Sequence, residues 1–383
     1  MRDPKAYVDH GRNDPHSPEQ RLEHPYDFVS LPDAPARAEA VPHNRYPDDR
    51  WSGTLTLVYR LETPMHAGSG VFETAEECGL RGGARPVRGI SRSLGRPILG
   101  GSSWKGAVRA RFEAITRSRL GQRTRTQPEP AFKVPEALKK GDAKKYRFDL
   151  DDPKVRASEP MGTVRRFEDL AGKLSPAESL FGCMGYRGRV MAGEGAVEGP
   201  RAEEPLKVPA LDSPVAHRLA KPGGLVHSGG SKYRITAVEG RKFYYDGDVM
   251  HHRVVDGAYG SKEVYEWVDS VPAGSTITVE VQLQSLSVAE VGALLVSAGH
   301  GSEVGILRFG GYKSAGLGKV RLESATAELS KGRSTRRWKR SDHSPSETVF
   351  DLDASVEEAR KSLIDGERLK ELHTVTTLRR PNP

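Results

Sequence analysis

Alternation of apolar and polar residues marks two strands in this chain. Over residues 54–62, leucine or tyrosine occupies every second position from Leu55 onward. Over residues 276–284, isoleucine, valine or leucine does the same from Ile277 onward. A period of two places the apolar side chains on one face of a strand. We therefore predict two long strands, each of which buries one face.

A helical period follows the first strand. Trp104, Val108 and Phe112 are four residues apart and come after the segment Gly-Gly-Ser-Ser. This spacing predicts a helix whose apolar stripe faces the core. We expect Ser102 or Ser103 to cap its N-terminus, because serine hydroxyls accept hydrogen bonds from first-turn amides.

A second helix follows the second strand. Ser287 and Glu290 form a capping-box pattern that opens a helix to about residue 297, and a shorter capped helix is predicted over residues 175–182. A glycine-rich loop and a strand at residues 319–322 come next. This order fits a βαββαβ core, so we predict an α+β fold with a ferredoxin-like or RNA-recognition-motif-like core and large insertions.

Composition divides the chain into an extended N-terminal arm, a folded domain and a basic C-terminal tail, at residues 1–50, 51–330 and 331–383. The arm contains one apolar patch, residues 25–31, which is expected to lie on the folded body or on a neighbour. Insertions are predicted at about 117–170 and 192–270. The tail is expected to end in one charged helix at about 354–372.

Two further segments carry local predictions. Residues 71–97 look like a long irregular loop, and in a compact domain such loops are usually functional or mobile. Residues 233–238 and 241–245 look like two strands of a hairpin joined at Glu239 and Gly240.

Composition limits the class of protein. The chain has 383 residues, a net charge of +8 and a mean hydropathy of −0.58. This balance suits a polyanionic partner such as a nucleic acid, although a solvated basic surface explains it as well. Two cysteines without metal-type spacing and no apolar run of membrane length favour a cytoplasmic protein without a bound metal, a membrane contact or a secretory signal.

The glycine-rich loop is the first candidate for chemistry. Glycines permit positive φ, and consecutive amides in such a turn can form an anion site. The alternative is a tight turn between strands. The candidate RNA-binding residues here are Gly310, Gly311, Tyr312, Lys313, Ser314, Gly316 and Gly318.

The start of the first helix is the second candidate. A helix N-terminus carries unpaired amides and a partial positive charge, so it suits a phosphate. Ser102, Ser103, Lys105 and Arg109 are the candidate residues. The alternative is an ordinary capped helix with solvated basic side chains.

Four motifs occur together in an order that resembles a known family: "TPMHAGSG", "PILGGSSWKGAVRARFEAI", "ESLFGCMGYRGRV" and "RFGGYKSAGLGKVRL". The chain resembles the CRISPR-associated RAMP superfamily over about residues 25–325, and the backbone-type subunits of type III effector complexes in particular. The resemblance implies a subunit that holds the CRISPR guide RNA, contacts target RNA through that guide, and assembles with other effector subunits and further copies of itself.

An endoribonuclease that cuts target RNA or processes precursor guide RNA is the alternative. Target-cutting members of the resembled family carry an aspartate in the loop after the first strand. This chain has none between Thr63 and Arg109, and its candidates there are His66, Glu73, Glu76 and Glu77. The simpler interpretation is a structural histidine and solvated acids. No cofactor is expected, except Mg²⁺ if the protein cleaves RNA.

Overall fold

The computed structural model describes residues 26–32, 34–44, 46–119, 145–148, 174–183, 185–209, 225–227, 232–235, 240–246, 265–332 and 350–378. Most of the predicted insertions, much of the arm and most of the basic tail before the final helices therefore lie outside the described residues.

The strands of the described residues, numbered along the chain, are β1 (Tyr26–Ser30), β2 (Trp51–Leu61), β3 (Gly68–Thr74), β4 (Pro86–Ile90), β5 (Arg92–Ser93), β6 (Arg96–Leu99), β7 (Lys145–Phe148), β8 (Gly182–Cys183), β9 (Tyr186–Arg187), β10 (Val190–Ala192), β11 (Gly195–Glu198), β12 (Leu206–Pro209), β13 (Leu225–His227), β14 (Lys232–Ile235), β15 (Gly240–Tyr244), β16 (Tyr265–Val268), β17 (Thr276–Leu286), β18 (Leu307–Arg308) and β19 (Lys319–Lys331). The helices are α1 (Gly101–Ile115), α2 (Pro176–Phe181), α3 (Val288–Ser297), α4 (Leu352–Ser362) and α5 (Gly366–Thr377), with 3₁₀ turns at Ser302–Val304 and Lys313–Ala315.

The main sheet has the order β18-β19-β2-β17-β11-β6-β5, and β10 also pairs with β17. All of these pairs are antiparallel. Its centre, β19-β2-β17-β10, has α1 between its first and second strands in the chain and α3 between its third and fourth. This is the predicted ferredoxin-like arrangement, and the α+β fold class is confirmed.

The core lies between this sheet and the helices. The alternating residues of β2, from Leu55 to Leu61, are buried, and so are those of β17. Trp104, Val108 and Phe112 of α1 are fully buried, as their spacing predicted. The indole Nε1 of Trp104 donates to the hydroxyl of Tyr59 at 3.0 Å, which satisfies both buried polar groups.

The C-terminal segment adds two helices to this layer rather than the single helix predicted for residues 354–372. Helix α4 ends at Ser362 and α5 begins at Gly366, because Asp365 caps α5 by accepting from the amides of Glu367 and Arg368. Helix α4 packs on α3 at Gly292, where a side chain would overlap the carbonyl oxygen of Ser355. No helix in the described part of the chain is long and apolar enough to cross a bilayer.

Two local predictions were wrong: the irregular loop at residues 71–97 and the hairpin at residues 233–245. Residues 71–97 belong to β3 to β6 and the turns between them rather than to an irregular loop, and these strands pair locally as β3–β4 and β5–β6. Strands β11 and β12 lie within the segment predicted as an insertion from about residue 192. Among the described residues, no hairpin pairs β14 with β15. Strand β15 pairs with β1, which places the apolar patch of the N-terminal arm on the folded body, and β14 pairs with β13 and β7.

A second sheet, with the order β12-β16-β4-β3, lies against the glycine-rich loop. Val208 of β12 and Val268 of β16 are buried together with Tyr312 and Leu317 of that loop. The second sheet therefore packs against one side of the glycine-rich loop.

A buried arginine joins the parts of the core. The guanidinium of Arg189 donates to the carbonyls of Ser179, at the end of α2, and Ser285, in an irregular part of β17. It also pairs with Glu290, the residue that completes the capping box of α3. Because Ser285 has a positive φ, these bonds stabilise an unfavourable backbone position.

We predict that Arg189→Met will lower the free energy of unfolding by about 3–5 kcal/mol, because it leaves the buried carbonyls of Ser179 and Ser285 without their donor and removes one of the two arginines that pair with Glu290. Arg50→Met is the matched control. Arg50 also pairs with Glu290, at 3.0 Å, but contacts none of the carbonyls that Arg189 satisfies, so we expect a loss of about 1 kcal/mol. Denaturant unfolding measures both variants. Equal losses would contradict the role assigned to Arg189.

Candidate nucleic-acid interface

The glycine-rich loop is folded onto the turn that follows β2. The amide of Gly311 donates to the carbonyl of His66, and the amide of Gly318 donates to the carbonyl of Pro64, both at 2.8 Å. The hydroxyl of Thr63 donates to the carbonyl of Gly316 at 2.9 Å. Several loop amides are thus used within the protein, so the loop is a packed turn rather than an open row of amides.

Two of its glycines are required by close backbone approach. Gly310 has φ +79°, and a Cβ there would lie 2.5 Å from the carbonyl oxygen of His66. Gly318 has φ +75°, and a Cβ there would overlap the carbonyl oxygen of Phe309. The motif's glycines therefore have a structural explanation that does not involve a ligand.

The other side chains of the loop differ in accessibility. Lys313 and Ser314 are half-buried, and burial lowers the pKa of the Lys313 ammonium. Tyr312 is buried and has a left-handed backbone conformation, with φ 52°. Lys313 and Ser314 are therefore the predicted RNA-binding side chains of this loop that keep a solvent-facing part.

Tyr312 connects the loop to the second sheet. Its hydroxyl donates to the carboxylate of Glu266 on β16. The guanidinium of Arg88 on β4 binds the same carboxylate through two hydrogen bonds, of 3.0 and 2.7 Å. The bonds from Arg88 hold the pKa of Glu266 below its usual value, and burial raises the pKa of Tyr312. A neutral phenol and a carboxylate paired with arginine are thus fixed beside the loop.

His66 is buried beside the network of Tyr312, Glu266 and Arg88. Its ring is buried, 5.4 Å from the ring of Tyr312, and its Nδ1 donates to the carbonyl of Asp269 at 2.8 Å. A carbonyl oxygen only accepts, so this bond requires the proton on Nδ1. Burial lowers the pKa of His66, which favours the neutral ring at pH 7.

The start of α1 presents an exposed polar surface. Ser102 and Ser103 are exposed, but neither caps the helix: the cap residue is Gly100, with no side-chain hydrogen bond. That part of the prediction was wrong, since α1 begins at Gly101, which packs against the carbonyls of Ala192 and Gly193. The first-turn amides without an intrahelical partner are therefore left without a side-chain cap.

Lys105 is fixed beside this turn. Its ammonium donates to the carbonyl of Val190 at 2.8 Å, and burial lowers its pKa. An ammonium has three N–H groups, so a single bond leaves two for another acceptor. Lys105 remains a suitable phosphate ligand.

Arg109, a candidate phosphate-binding residue, is engaged in contacts within the protein. Its guanidinium binds Glu113 at 2.7 Å and the carbonyl of Gly182 at 3.0 Å, and burial lowers its pKa. Arg241 from β15 also pairs with Glu113. These contacts give Arg109 a structural role in joining α1 to the end of α2 and to the β1–β15 pair.

Hydrogen bonds connect the loop to the beginning of α1. The carbonyl of His66 accepts from Gly311, and the next residue, Ala67, accepts from the amide of Ser91 at 2.7 Å. Ser91 in turn accepts from the amide of Ile98 at 3.0 Å, two residues before the cap of α1. The two predicted RNA-binding motifs thus belong to one continuous hydrogen-bonded framework.

The three glutamates predicted as catalytic candidates have separate environments. Glu77 accepts from the amide and hydroxyl of Thr74, which lowers its pKa, and Glu73 is half-buried beside Cys78. Glu76 is exposed in the turn after β3. No hydrogen bond joins His66 to any of them among the described residues. In the same part of the chain, no group of three or more His, Cys, Asp or Glu side chains could hold a metal.

Sequence reasoning missed four residues around the loop: Phe72, Arg88, Glu266 and Asp269. Arg92 binds Asp269 at 2.7 Å, as Arg88 binds Glu266. The missed signal was a short run rich in aromatic and β-branched residues that carries two acidic side chains, at 265–269, within a segment predicted to be an insertion. The partners lie far away in sequence, so this signal alone would not have identified the pairs.

The fold and the two motifs define an RNA-recognition-like α+β protein with a glycine-rich C-terminal loop. A family model described as the RAMP superfamily matches residues 58–321, more than half of the chain. The chain therefore belongs to the RAMP superfamily. The match spans β2 to β19 and so includes both motifs.

Two solved structures are similar over most of this chain. A chain of a type IV-B CRISPR complex is 14% identical, with a TM-score of 0.31, over 79% of this chain and 98% of that one. A chain of the type III-B Cmr-beta complex bound to cognate target RNA is 11% identical, with a TM-score of 0.35, over 74% of this chain and 61% of that one. No curated protein matches the chain.

We predict that Gly318→Ala will destabilise the protein by clearly more than the roughly 1–2 kcal/mol that a left-handed alanine costs, because the Phe309 carbonyl must also move. Gly274→Ala is the control. Gly274 has φ +83° and nothing lies within 4 Å of the position that a Cβ would take, so only the backbone cost of about 1–2 kcal/mol applies. Denaturant midpoints compare the two. Equal losses would show that the close approach at Gly318 relaxes freely.

Proposed function

We propose that this RAMP superfamily protein is a guide-RNA-binding subunit of a CRISPR effector complex, and that it binds the RNA backbone independently of base sequence. The observation that carries the proposal is the exposed first turn of α1, where Ser102 and Ser103 adjoin a helix end without a side-chain cap and the anchored ammonium of Lys105. Exposed hydroxyls, the N-terminal end of a helix and one fixed cation suit a phosphate.

Family membership and charge support this proposal. The matched region includes both motifs, and the net charge of +8 favours a polyanion. Lys313 and Ser314 supply a second polar position on the same hydrogen-bonded framework. On this proposal, target RNA is reached through base pairing with the guide, and further subunits, including copies of this chain, assemble along the RNA.

Ser103→Glu tests the phosphate site. Ser103 lies in the first helical turn, where a carboxylate interacts favourably with the helix dipole, so we expect unchanged or higher stability. The same charge repels phosphate, and we expect RNA affinity to fall about tenfold at low salt. Fluorescence anisotropy with labelled single-stranded RNA measures the affinity, and thermal unfolding measures the stability.

Ser103→Gln is the matched control, because it adds the same bulk without charge, and its affinity should stay within about twofold of wild type. The slope of log affinity against log salt should be shallower in Ser103→Glu by about 0.7 for each phosphate that the protein no longer neutralises. Equal affinity for RNAs of different sequence is also expected. If Ser103→Glu leaves both the affinity and the salt slope unchanged, the first turn of α1 does not bind the RNA.

A further inference from the structure

Phe72 is an exposed aromatic side chain on β3, at the edge of the second sheet. It keeps 61% of its surface exposed, and its neighbour Val71 keeps 57%. The β3–β4 register shifts between Gly68 and Phe72, so the strand is irregular just before the ring. Irregularities of this kind re-aim side chains and are frequent beside functional sites.

The position of Phe72 is tied to the glycine-rich loop. Phe72 lies opposite Arg88 across the β3–β4 pair, and the guanidinium of Arg88 lies 4.5 Å from the centre of its ring. The carboxylate of Glu266 fixes that guanidinium with two hydrogen bonds and accepts a third from Tyr312. Phe72 and the loop are thus held by one chain of contacts.

Arg88 lies opposite Val268 across the β16–β4 pair, and Val268 is buried against Tyr312 and Leu317. The register therefore places Phe72, Arg88 and Val268 on the face of the second sheet that meets the glycine-rich loop. An exposed aromatic ring with a fixed cation on this face is a different kind of ligand surface from the first turn of α1.

We propose that Phe72 is a base-stacking position for single-stranded RNA, with its ring against one base and the guanidinium of Arg88, itself paired with Glu266, holding the ring in place. The proposal rests on the RNA-binding function proposed above and adds a contact to the bases. Base–aromatic stacking tolerates any sequence because every base has a π face, so this contact is compatible with a guide of any sequence.

The chemistry of the surface suits single-stranded RNA. Because arginine and aromatic residues also occur together in protein–protein interfaces, self-association is measured as an outcome of the test below. Here the ring is in direct contact with a guanidinium whose side chain remains 38% exposed. An exposed aromatic ring is the stacking element of sequence-tolerant single-strand binding, and arginine contributes cation–π contacts there.

The test compares two polymers of equal length: oligoadenylate, and an abasic ribose-phosphate oligomer that keeps the charge but has no bases. For Phe72→Ala in the full chain, we expect the affinity for oligoadenylate to fall by about 5- to 150-fold, the range for replacing an aromatic side chain that stacks on one base with alanine. The affinity for the abasic oligomer should not change. Ser103→Glu should weaken both complexes.

Two variants serve as controls. Phe72→Tyr keeps an aromatic ring and should keep wild-type affinity for oligoadenylate. Leu94→Ala removes another fully exposed apolar side chain, in the turn between β5 and β6, and should change neither affinity. Sedimentation of the RNA-free protein is measured in parallel for Phe72→Ala and wild type.

Any of the following results would overturn the stacking proposal. If wild type binds oligoadenylate and Phe72→Ala binds it equally well, or loses both polymers equally, Phe72 does not stack on a base, while the proposed backbone binding stands. If Phe72→Ala alters only self-association, the patch is an interface between copies of this chain. If wild type binds neither polymer, the proposed RNA-binding function fails together with the stacking site.

Discussion

The close backbone approach between the glycine-rich loop and the turn after β2 is the constraint on which this region depends. The carbonyls of Pro64 and His66 accept from the amides of Gly318 and Gly311, and Gly310 leaves no room for a side chain. This approach closes the end of the central β2–β19 pair. It also sets the direction in which the loop continues to Tyr312.

The position of Tyr312 then determines the arrangement of the second sheet. A left-handed residue is costly for tyrosine, and its buried ring and its hydrogen bond to Glu266 offset that cost. Glu266 holds Arg88 in turn, and Arg88 holds the ring of Phe72. A motif that looks in sequence like a phosphate loop thus acts first as a structural support. Through Tyr312 and Glu266 it fixes the positions of Arg88 and Phe72.

The sequence predicted those elements whose signal is local. The alternation over β2 and β17 and the spacing of Trp104, Val108 and Phe112 mark faces that are buried against the core, so these strands and α1 were predicted correctly. The capping box at Ser287 marks the start of α3 in the same local way. The partner of β15 was not predictable in this way, because β1 is more than 200 residues away. Ser102 failed as a cap because the tight packing of Gly101 on Ala192, which no local pattern reveals, fixes where α1 begins.

The same distinction applies to charge. Composition suggested a basic surface, yet several arginines are buried and used inside the protein. Arg111 donates to the carbonyls of Val304 and Ile306, Arg308 to that of Tyr245, and Arg109 to that of Gly182. These guanidiniums satisfy backbone acceptors and carboxylates at the junctions between elements, as buried charges must. Net charge therefore overstates the positive charge at the surface. The proposed RNA binding depends on a few groups that keep a solvent-facing part: the first turn of α1 with Lys105, the loop side chains Lys313 and Ser314, and the Phe72–Arg88 pair.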